Sequence, residues 1–406
     1  MLVRSRSAFR LAAAFAAALM TASGAMAGAK HEAPVPGATL ALMRERGTTP
    51  AAPILIRVYK KEAELEVWKK ARDGRFVHLK TFPICRWSGQ LGPKLRMGDR
   101  QAPEGFYAVA PGQMNPNSAY HLSFDLGFPN AYDRAHGATG KFLMVHGICS
   151  SAGCYAMTDA QVEEIYSLAR EAFAGGQAAF QVQAYPFRMT AQNMARHRLE
   201  RHIDFWRQLK EGSDRFEATG EEPAVGVVAG RYVFAPFRDP AKEALAKARI
   251  AQEEARTAAL VADGIAAVRT TYADGAQHPS FRALAQAGAP SLGMVSRPEA
   301  LGLAGREVVL VAAKKRPTQV AEAKPAGPAQ AMAFAPQAAV PQGPARDVEA
   351  TASVAASAAP AGPEMSLLSA APLGRAGPLA GWAAMPGSAR ILPPGLARTA
   401  VVVAAR

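Results

Sequence analysis

The sequence has 406 residues, which is enough for one or two domains with cores of their own. Its formal net charge of +14 favours anionic polymers or surfaces, but the basic residues are scattered and match no nucleic-acid-binding module. We therefore expect no nucleic acid partner. The three cysteines are too few for a disulfide framework and indicate one free, reactive thiol.

The N-terminus has the features of a secretory signal peptide. Basic residues precede a short apolar run at residues 11–20, and the small-residue site Ala25-Met26-Ala27 follows it. We predict that residues 1–27 are a cleaved signal peptide and that the mature chain acts in the periplasm of a Gram-negative envelope. An uncleaved anchor is the alternative, although the run is short for a membrane-spanning helix. No later stretch resembles a transmembrane segment.

The first half of the mature chain is predicted to be rich in β-structure. A polar lead segment covers residues 28–52, and the patterns at residues 54–59, 64–68 and 75–84 predict three strands. Asp73-Gly74 is typical of a hairpin turn between the second and third strands. These strands therefore predict an antiparallel meander at the start of the first folded domain.

Further elements follow in the same region. Short strands are predicted at residues 106–109, 141–145 and 178–185. Thr158 is expected to cap a helix over residues 159–174, which ends at Gly175-Gly176. The strands and this helix together predict one folded domain over residues 53–189.

The remainder of the chain changes in character. Thr190 is expected to cap a second helix with Leu199, Trp206 and Leu209 near one face. An Ala-, Glu-, Lys- and Arg-rich stretch then predicts a long exposed helix, so residues 190–270 are interpreted as a helical extension. Residues 271–406 are predicted to be a low-complexity, largely disordered Ala- and Pro-rich tail.

One segment combines the residue types needed for nucleophilic catalysis. Residues 146–157 follow a predicted strand, precede a predicted helix and carry His146 and Cys154 with glycines at positions 147 and 153. A thiol attacks as the thiolate, so a nearby histidine that accepts its proton activates it. Glycine lets the intervening loop turn sharply, and backbone N–H groups near Gly153 and Cys154 are candidates for an oxyanion site.

Two other interpretations of this segment remain open. The loop is alternatively a tight structural turn with a buried histidine and cysteine. His146, Cys149 and Cys154 are alternatively three zinc ligands, with a fourth from His121 or His136, although the spacing is unlike that of known zinc sites. Cys149 either packs under the loop as a thiol, pairs with Cys85, or forms a disulfide with Cys154 that would silence the site.

The segment also resembles a known family. His146-Gly147 followed by Ser151-Ala152-Gly153-Cys154 resembles the motif of the YkuD-type L,D-transpeptidases. Residues 146–159 (HGICSSAGCYAMTD) and 128–137 (FPNAYDRAHG) are similar to its YafK-like branch, and residues 98–107 resemble a strand of the wider family. These blocks occur in the expected order, and the resemblance covers residues 54–234.

The resemblance implies an α+β, β-dominated L,D-transpeptidase catalytic domain that acts on peptidoglycan stem peptides containing diaminopimelate, in cell-wall remodelling. Cys154 is the implied nucleophile and forms a thioester, His146 is the implied base, and Gly147, Ser151 and Gly153 are the implied loop and oxyanion support. No metal or other cofactor is expected. The alternatives are a hydrolase that releases peptidoglycan-linked lipoprotein, and a non-catalytic peptidoglycan-binding envelope protein.

Two departures from the wider family concern substrate binding. Ala152 and Ala156 stand where most members have histidine and arginine, so a carboxylate anchor is missing. Arg134 is a candidate replacement because it lies in the second matching segment. The other candidate substrate-binding residues are Tyr132, His136 and Tyr155.

Overall fold

The computed structural model describes residues 29–287, 292, 294–302 and 305–314. The predicted signal peptide and the tail from residue 315 onward lie outside the described residues. Within the described ranges, no helix is both long enough and apolar enough to span a membrane.

The described residues form a mixed α/β structure. The strands are β1 (Ile54–Tyr59), β2 (Glu64–Lys70), β3 (Phe76–Pro83), β4 (Arg86–Trp87), β5 (Gly105–Val109), β6 (Met114–Asn115), β7 (Ser123–Asp125), β8 (Met144–His146), β9 (Tyr155–Ala156), β10 (Phe180–Tyr185), β11 (Val225–Val228), β12 (Arg231–Phe234), β13 (Ala267–Thr271) and β14 (Arg306–Val311). The helices are α1 (Gly37–Glu45), α2 (Ala131–Ala135), α3 (Asp159–Ala174), α4 (Ala191–Arg196), α5 (Ile203–Thr219), α6 (Pro240–Ala262), α7 (Pro279–Gln286) and α8 (Pro298–Leu301). Short 3₁₀ turns cover Lys30–Glu32 and Pro111–Gln113.

The first sheet contains the predicted meander. Its strand order is β3-β2-β1-β10-β5, and β1 pairs in parallel with β10 whereas the other pairs are antiparallel. Gly74 has a φ of +85° in the turn between β2 and β3, a conformation that favours glycine and explains the Asp-Gly turn. The predicted hairpin and the third strand are therefore confirmed.

The second sheet carries the candidate site. Its strand order is β4-β9-β8-β7-β6, and β8 and β9 are its parallel pair. Parallel neighbours are usually joined by a crossover of a dozen or more residues, but here residues 147–154 alone connect the two strands. This short crossover is the glycine-rich loop singled out in the sequence.

Helix α3 contacts both sheets. It packs against β1 of the first sheet and against β7 and β8 of the second. Thr158 caps it by accepting from the backbone N–H of Gln161, as predicted, and Gly175 is its C-cap. Val162, Ile165 and Leu168 are fully buried on its inner face. Burial of each such side chain contributes about 2 kcal/mol, which fixes α3 beside the loop.

The predicted second helix is divided into two. Helix α4 ends at Arg196, and α5 begins at Ile203, so Leu199 lies in the connection and is 51% exposed. The imidazole of His197 is buried, stacks on Phe187 at 4.7 Å and meets the Trp206 ring edge-on. This tertiary packing interrupts the single helix that the apolar spacing predicted.

The predicted boundaries of the flanking segments also differ from the structure. The lead segment contains α1, in which Met43 is buried in the main core. The helical extension includes the β11–β12 hairpin, and Tyr232 joins the same core. Ordered structure passes residue 271, because Tyr272 is buried in the core and β13 pairs with β14 as far as Val311. These contacts are long-range and leave no local periodicity in the sequence.

Candidate active site

Strand register brings His146 and Cys154 onto one face of the second sheet. His146 lies opposite Ala156 in the parallel β8–β9 pair, and Cys154 immediately precedes β9. Because side chains alternate between faces, Cys154 shares the face of Ala156 and of its partner His146. The backbone N–H of Met144 donates to the Cys154 Sγ over 3.4 Å, which agrees with this register.

His146 is almost completely buried at the end of β8. Its ring lies 4.5 Å from the ring of Tyr120, and its Nδ1 is hydrogen-bonded to the carbonyl oxygen of Gly147. A carbonyl only accepts, so Nδ1 carries the proton and Nε2 keeps its lone pair. Burial lowers the pKa of His146, although the hydrogen bond to Gly147 opposes this shift. The imidazole is therefore a neutral potential base.

Cys154 is the free cysteine of the chain, since the other two are bonded to each other. Burial raises the pKa of its thiol to about 11; the Met144 N–H works against this shift and the charge of Asp125 adds to it. In the described residues its sulfur contacts Met144 N and Phe142 O, and it has no hydrogen bond to His146. The resting thiol is therefore protonated, whereas many catalytic cysteines have a pKa below the usual value.

Cys149 forms a disulfide with Cys85, which was one of the pairings left open by the sequence. Both cysteines are buried, in a cluster with Phe281 and Leu292. The zinc interpretation is wrong, because it required Cys149 as a thiolate ligand. A Cys149–Cys154 disulfide likewise requires that the bond to Cys85 be broken first. The disulfide ties the loop to the residue before β4.

Ser151 shapes the backbone that leads into Cys154. Its hydroxyl donates to the carbonyl oxygen of Cys154 over 2.8 Å and accepts from the N–H groups of Cys154 and Gly153 at 3.1 and 3.3 Å. These two N–H groups are thus occupied, so the oxyanion site expected from them is not free. Gly153 has a φ of +126°, in the region that glycine tolerates.

Gly147 is required by close packing rather than by an unusual backbone angle. A Cβ at this position would lie 2.9 Å from the Cβ of His121 and 3.0 Å from the carbonyl oxygen of Tyr120. Asp159 accepts from the next N–H, that of Ile148, at 2.9 Å. The N-terminus of α3 therefore holds the start of the loop.

The candidate substrate-binding residues differ in their accessibility. Tyr132 is 6% exposed and stacks on the rings of Tyr232 and Phe205, at 4.7 and 4.9 Å. His136 is exposed and stacks on Tyr132 at 4.2 Å, and Arg134 is exposed with a hydrogen bond to the Pro129 carbonyl oxygen. Of these candidates, Tyr132 is a core residue because its apolar ring completes an aromatic stack.

Tyr155 also differs from the prediction. Its side chain is fully buried and its hydroxyl donates to the carbonyl oxygen of Pro103. It therefore has no free surface with which to contact a substrate. Its neighbour Ala156 is buried in β9, paired with Arg86 of β4.

Sequence reasoning missed several residues that surround the loop. Tyr120 and Phe142 are 41% and 63% exposed, and they contact the imidazole of His146 and the thiol of Cys154 respectively. Arg100 and Ser296 bind the loop at Ser151, and Asp274 in turn binds Arg100. No motif links them to the His–Cys segment, because their proximity arises only in the folded chain.

Comparison with known proteins identifies the family. The chain is 49% identical over 182 residues to the curated protein "Putative L,D-transpeptidase YafK" of Escherichia coli strain K12, a match that covers 45% of this chain and 74% of that protein. This chain belongs to the YafK-like branch of the L,D-transpeptidases. The YafK protein of Escherichia coli O157:H7 matches to the same extent, and no family model matches the chain.

Solved structures show weaker similarity to this YafK-like chain. The helical cell shape determining protein Pgp2 of Campylobacter jejuni is 15% identical, with 57% of this chain and 80% of that chain covered and a TM-score of 0.27. Bd1075 of Bdellovibrio bacteriovorus is 16% identical, with 34% and 48% covered and a TM-score of 0.23. Similarity at this level carries no argument about fold or function.

Proposed function

We propose that this protein is an exported cysteine enzyme with a YkuD-like catalytic domain that transfers acyl groups of peptidoglycan stem peptides. The relationship to YafK carries this proposal, because that protein bears the name "Putative L,D-transpeptidase YafK". The free thiol of Cys154 and the neutral imidazole of His146 on one sheet face supply the chemistry that such a reaction needs.

The reaction begins with proton transfer. Cys154 gives its proton to Nε2 of His146 while its sulfur attacks the carbonyl carbon of a stem-peptide bond next to diaminopimelate. The tetrahedral intermediate collapses to a thioester, and His146 returns the proton to the departing amine. An acceptor amine then attacks the thioester, loses a proton to His146 and leaves the free thiol. Water in place of the amine gives hydrolysis.

The resting contacts imply a small rearrangement on substrate binding. The sulfur points to the Phe142 carbonyl oxygen at 3.7 Å, and catalytic hydrogen bonds in unliganded enzymes are often unformed. The Met144 N–H, which already donates to the sulfur, would stabilise the developing thiolate. Arg134 remains our proposed carboxylate anchor, since its guanidinium is exposed and its sequence segment matches the family.

Mass spectrometry of peptidoglycan sacculi incubated with the mature protein tests the proposal. Sacculi with and without attached lipoprotein are compared for the native protein, Cys154→Ala, His146→Ala and a matched control, His31→Ala, which alters a histidine outside the sheets. We expect new cross-links or exchanged terminal residues with the native protein and the control only. Release of fragments that depends on Cys154 would instead identify a hydrolase.

Sacculi left unchanged by native protein with a reduced Cys154 would refute the enzymatic proposal. In that case a non-catalytic peptidoglycan-binding protein becomes the better interpretation, and sedimentation of the protein with sacculi measures it directly. Equal turnover by Cys154→Ala and the native protein would refute the thioester mechanism. The proposal that peptidoglycan is the substrate would still stand.

A further inference from the structure

The loop between β8 and β9 is held in place by a segment far downstream in the chain. The N–H of Ser296 donates to the carbonyl oxygen of Cys149 at 3.2 Å, and the Ser296 hydroxyl accepts from the N–H of Ser151 at 2.9 Å. The guanidinium of Arg100 donates to the carbonyl oxygen of Ser151 at 2.8 Å. Both backbone polar groups of Ser151 are therefore bound from outside the loop.

Asp274 organises the arginines on this side of the loop. Its carboxylate accepts from Arg100 at 2.7 Å and also lies 3.3 Å from the guanidinium groups of Arg86 and Arg297. Burial alone would raise the pKa of Asp274, but the hydrogen bond and charge of Arg100, with the charge of Arg86, hold it below its usual range. Asp274 is thus an ionised, nearly buried centre that orients Arg100.

We propose that Asp274 and Ser296 are positioning residues for the Cys154 site. Together with Arg100 they fix the peptide groups of Ser151, whose hydroxyl in turn bonds to the N–H and carbonyl of Cys154. The segment after α6 therefore completes the active site, although it lies outside the region that the family motifs cover. This inference rests on the proposed function for its kinetic test only.

The need for outside support follows from the crossover itself. A loop of eight residues between parallel neighbours has no strand or helix of its own in which to pair its backbone groups. Without Ser296 and Arg100, the peptide groups of Ser151 would lose their partners outside the loop, and the position of Cys154 relative to His146 would change. Small displacements of a nucleophile from its base reduce the rate steeply, whereas substrate affinity depends on other surfaces.

The first test compares Ser296→Ala, Ser296→Thr and a matched control, Ser280→Ala, whose hydroxyl is hydrogen-bonded to the neighbouring His278. One readout is the rate of Cys154 alkylation by iodoacetamide from pH 6 to pH 10, which needs no substrate. It reports on Cys154 alone because the other two cysteines form a disulfide. The second readout is kcat and KM on diaminopimelate-containing muropeptides.

We expect Ser296→Ala to lower kcat about tenfold to a hundredfold with KM within about twofold, and to shift the pH profile of alkylation. Ser296→Thr keeps the hydroxyl and should restore most of both, and Ser280→Ala should match the native protein. A Ser296→Ala variant with native kcat and a native alkylation profile would overturn the proposal.

Asp274→Asn provides an independent variant, with Asp263→Asn at the exposed C-cap of α6 as its control. Asp274→Asn should lower kcat more than Ser296→Ala does, because Arg100 loses the carboxylate that orients it. If Asp274→Asn does not fold, Ser296→Ala by itself still tests the positioning role. An altered alkylation profile in Ser296→Ala, in a protein that leaves muropeptides unchanged, would support the positioning role and reject the proposed peptidoglycan chemistry. Active native protein with indistinguishable Ser296 variants would reject the positioning role alone.

Discussion

Reduction of the Cys85–Cys149 disulfide is expected to lower the free energy of unfolding by about 4 kcal/mol. The bond closes a loop across 64 sequence positions and ties the residue before β4 to the loop between β8 and β9. Cross-linking mainly restricts the unfolded chain, and the chain-entropy relation gives about 4 kcal/mol for a loop of this length. The two sulfur atoms are buried with Phe281 and Leu292, so the folded state keeps its packing when the bond is opened.

Urea denaturation measures this effect. The Cys154→Ala variant is used with and without reductant, because removal of the free thiol prevents disulfide exchange. With a slope of about 3 kcal/mol per molar urea, the midpoint should fall by about 1.3 M on reduction. The double variant Cys85→Ala/Cys149→Ala serves as a control that should unfold near the reduced midpoint, or somewhat below it because it also loses buried sulfur atoms.

Counting reactive thiols checks the premise of this prediction. Alkylation of the protein with its natural sequence, unfolded in denaturant, should add one label without reductant and three after reduction. Two results would refute the reasoning: three labels without reductant, or midpoints in the two redox states that agree within about 0.3 M. The second would mean that the unfolded chain is not appreciably restricted by the bond.

Three further predictions concern buried ionisable groups. Glu104→Gln should lower the free energy of unfolding, measured by urea denaturation, by about 3 kcal/mol, because the fully buried Lys60 ammonium loses its carboxylate partner. The double variant Glu104→Gln/Lys60→Met should recover part of the lost stability. Burial lowers the pKa of His197 to about 4, so the unfolded chain binds more protons between about pH 6.5 and pH 4. His197 should therefore cost about 3 kcal/mol of stability as the pH falls through this window, and His197→Phe should remove most of that loss. Alkylation of Cys154 in the free enzyme should still be rising at pH 10, since burial raises its pKa to about 11; a plateau by pH 8 would contradict this account.

Local patterns in the sequence predicted several elements correctly. The helix α3 begins after Thr158 and ends at Gly175, as expected from its cap and stop residues. The first two strands and the turn at Asp73-Gly74 also occur where alternation and turn chemistry indicated. These features depend on neighbouring residues, so their causes are visible without a fold.

The motif at the candidate site could be recognised from the sequence, but the residues that surround it in the fold could not. His146 and Cys154 stand out by residue type and glycine spacing, whereas the burial that raises the pKa of Cys154 depends on the sheets around it. Tyr155 resembled a pocket residue and is fully buried instead. Sequence alone could not separate these cases, because burial depends on distant parts of the chain.

The sequence by itself therefore determined the family, the helix and hairpin boundaries that local chemistry controls, and the pair of residues proposed for catalysis. Only the tertiary structure decided that Cys85 pairs with Cys149, that Ser151 occupies the N–H groups of Gly153 and Cys154, that Ser296 binds the loop, and that Asp274 binds Arg100. The physical reason is that these contacts join residues far apart in the chain, and their geometry exists only once the two sheets and the downstream segment have packed together.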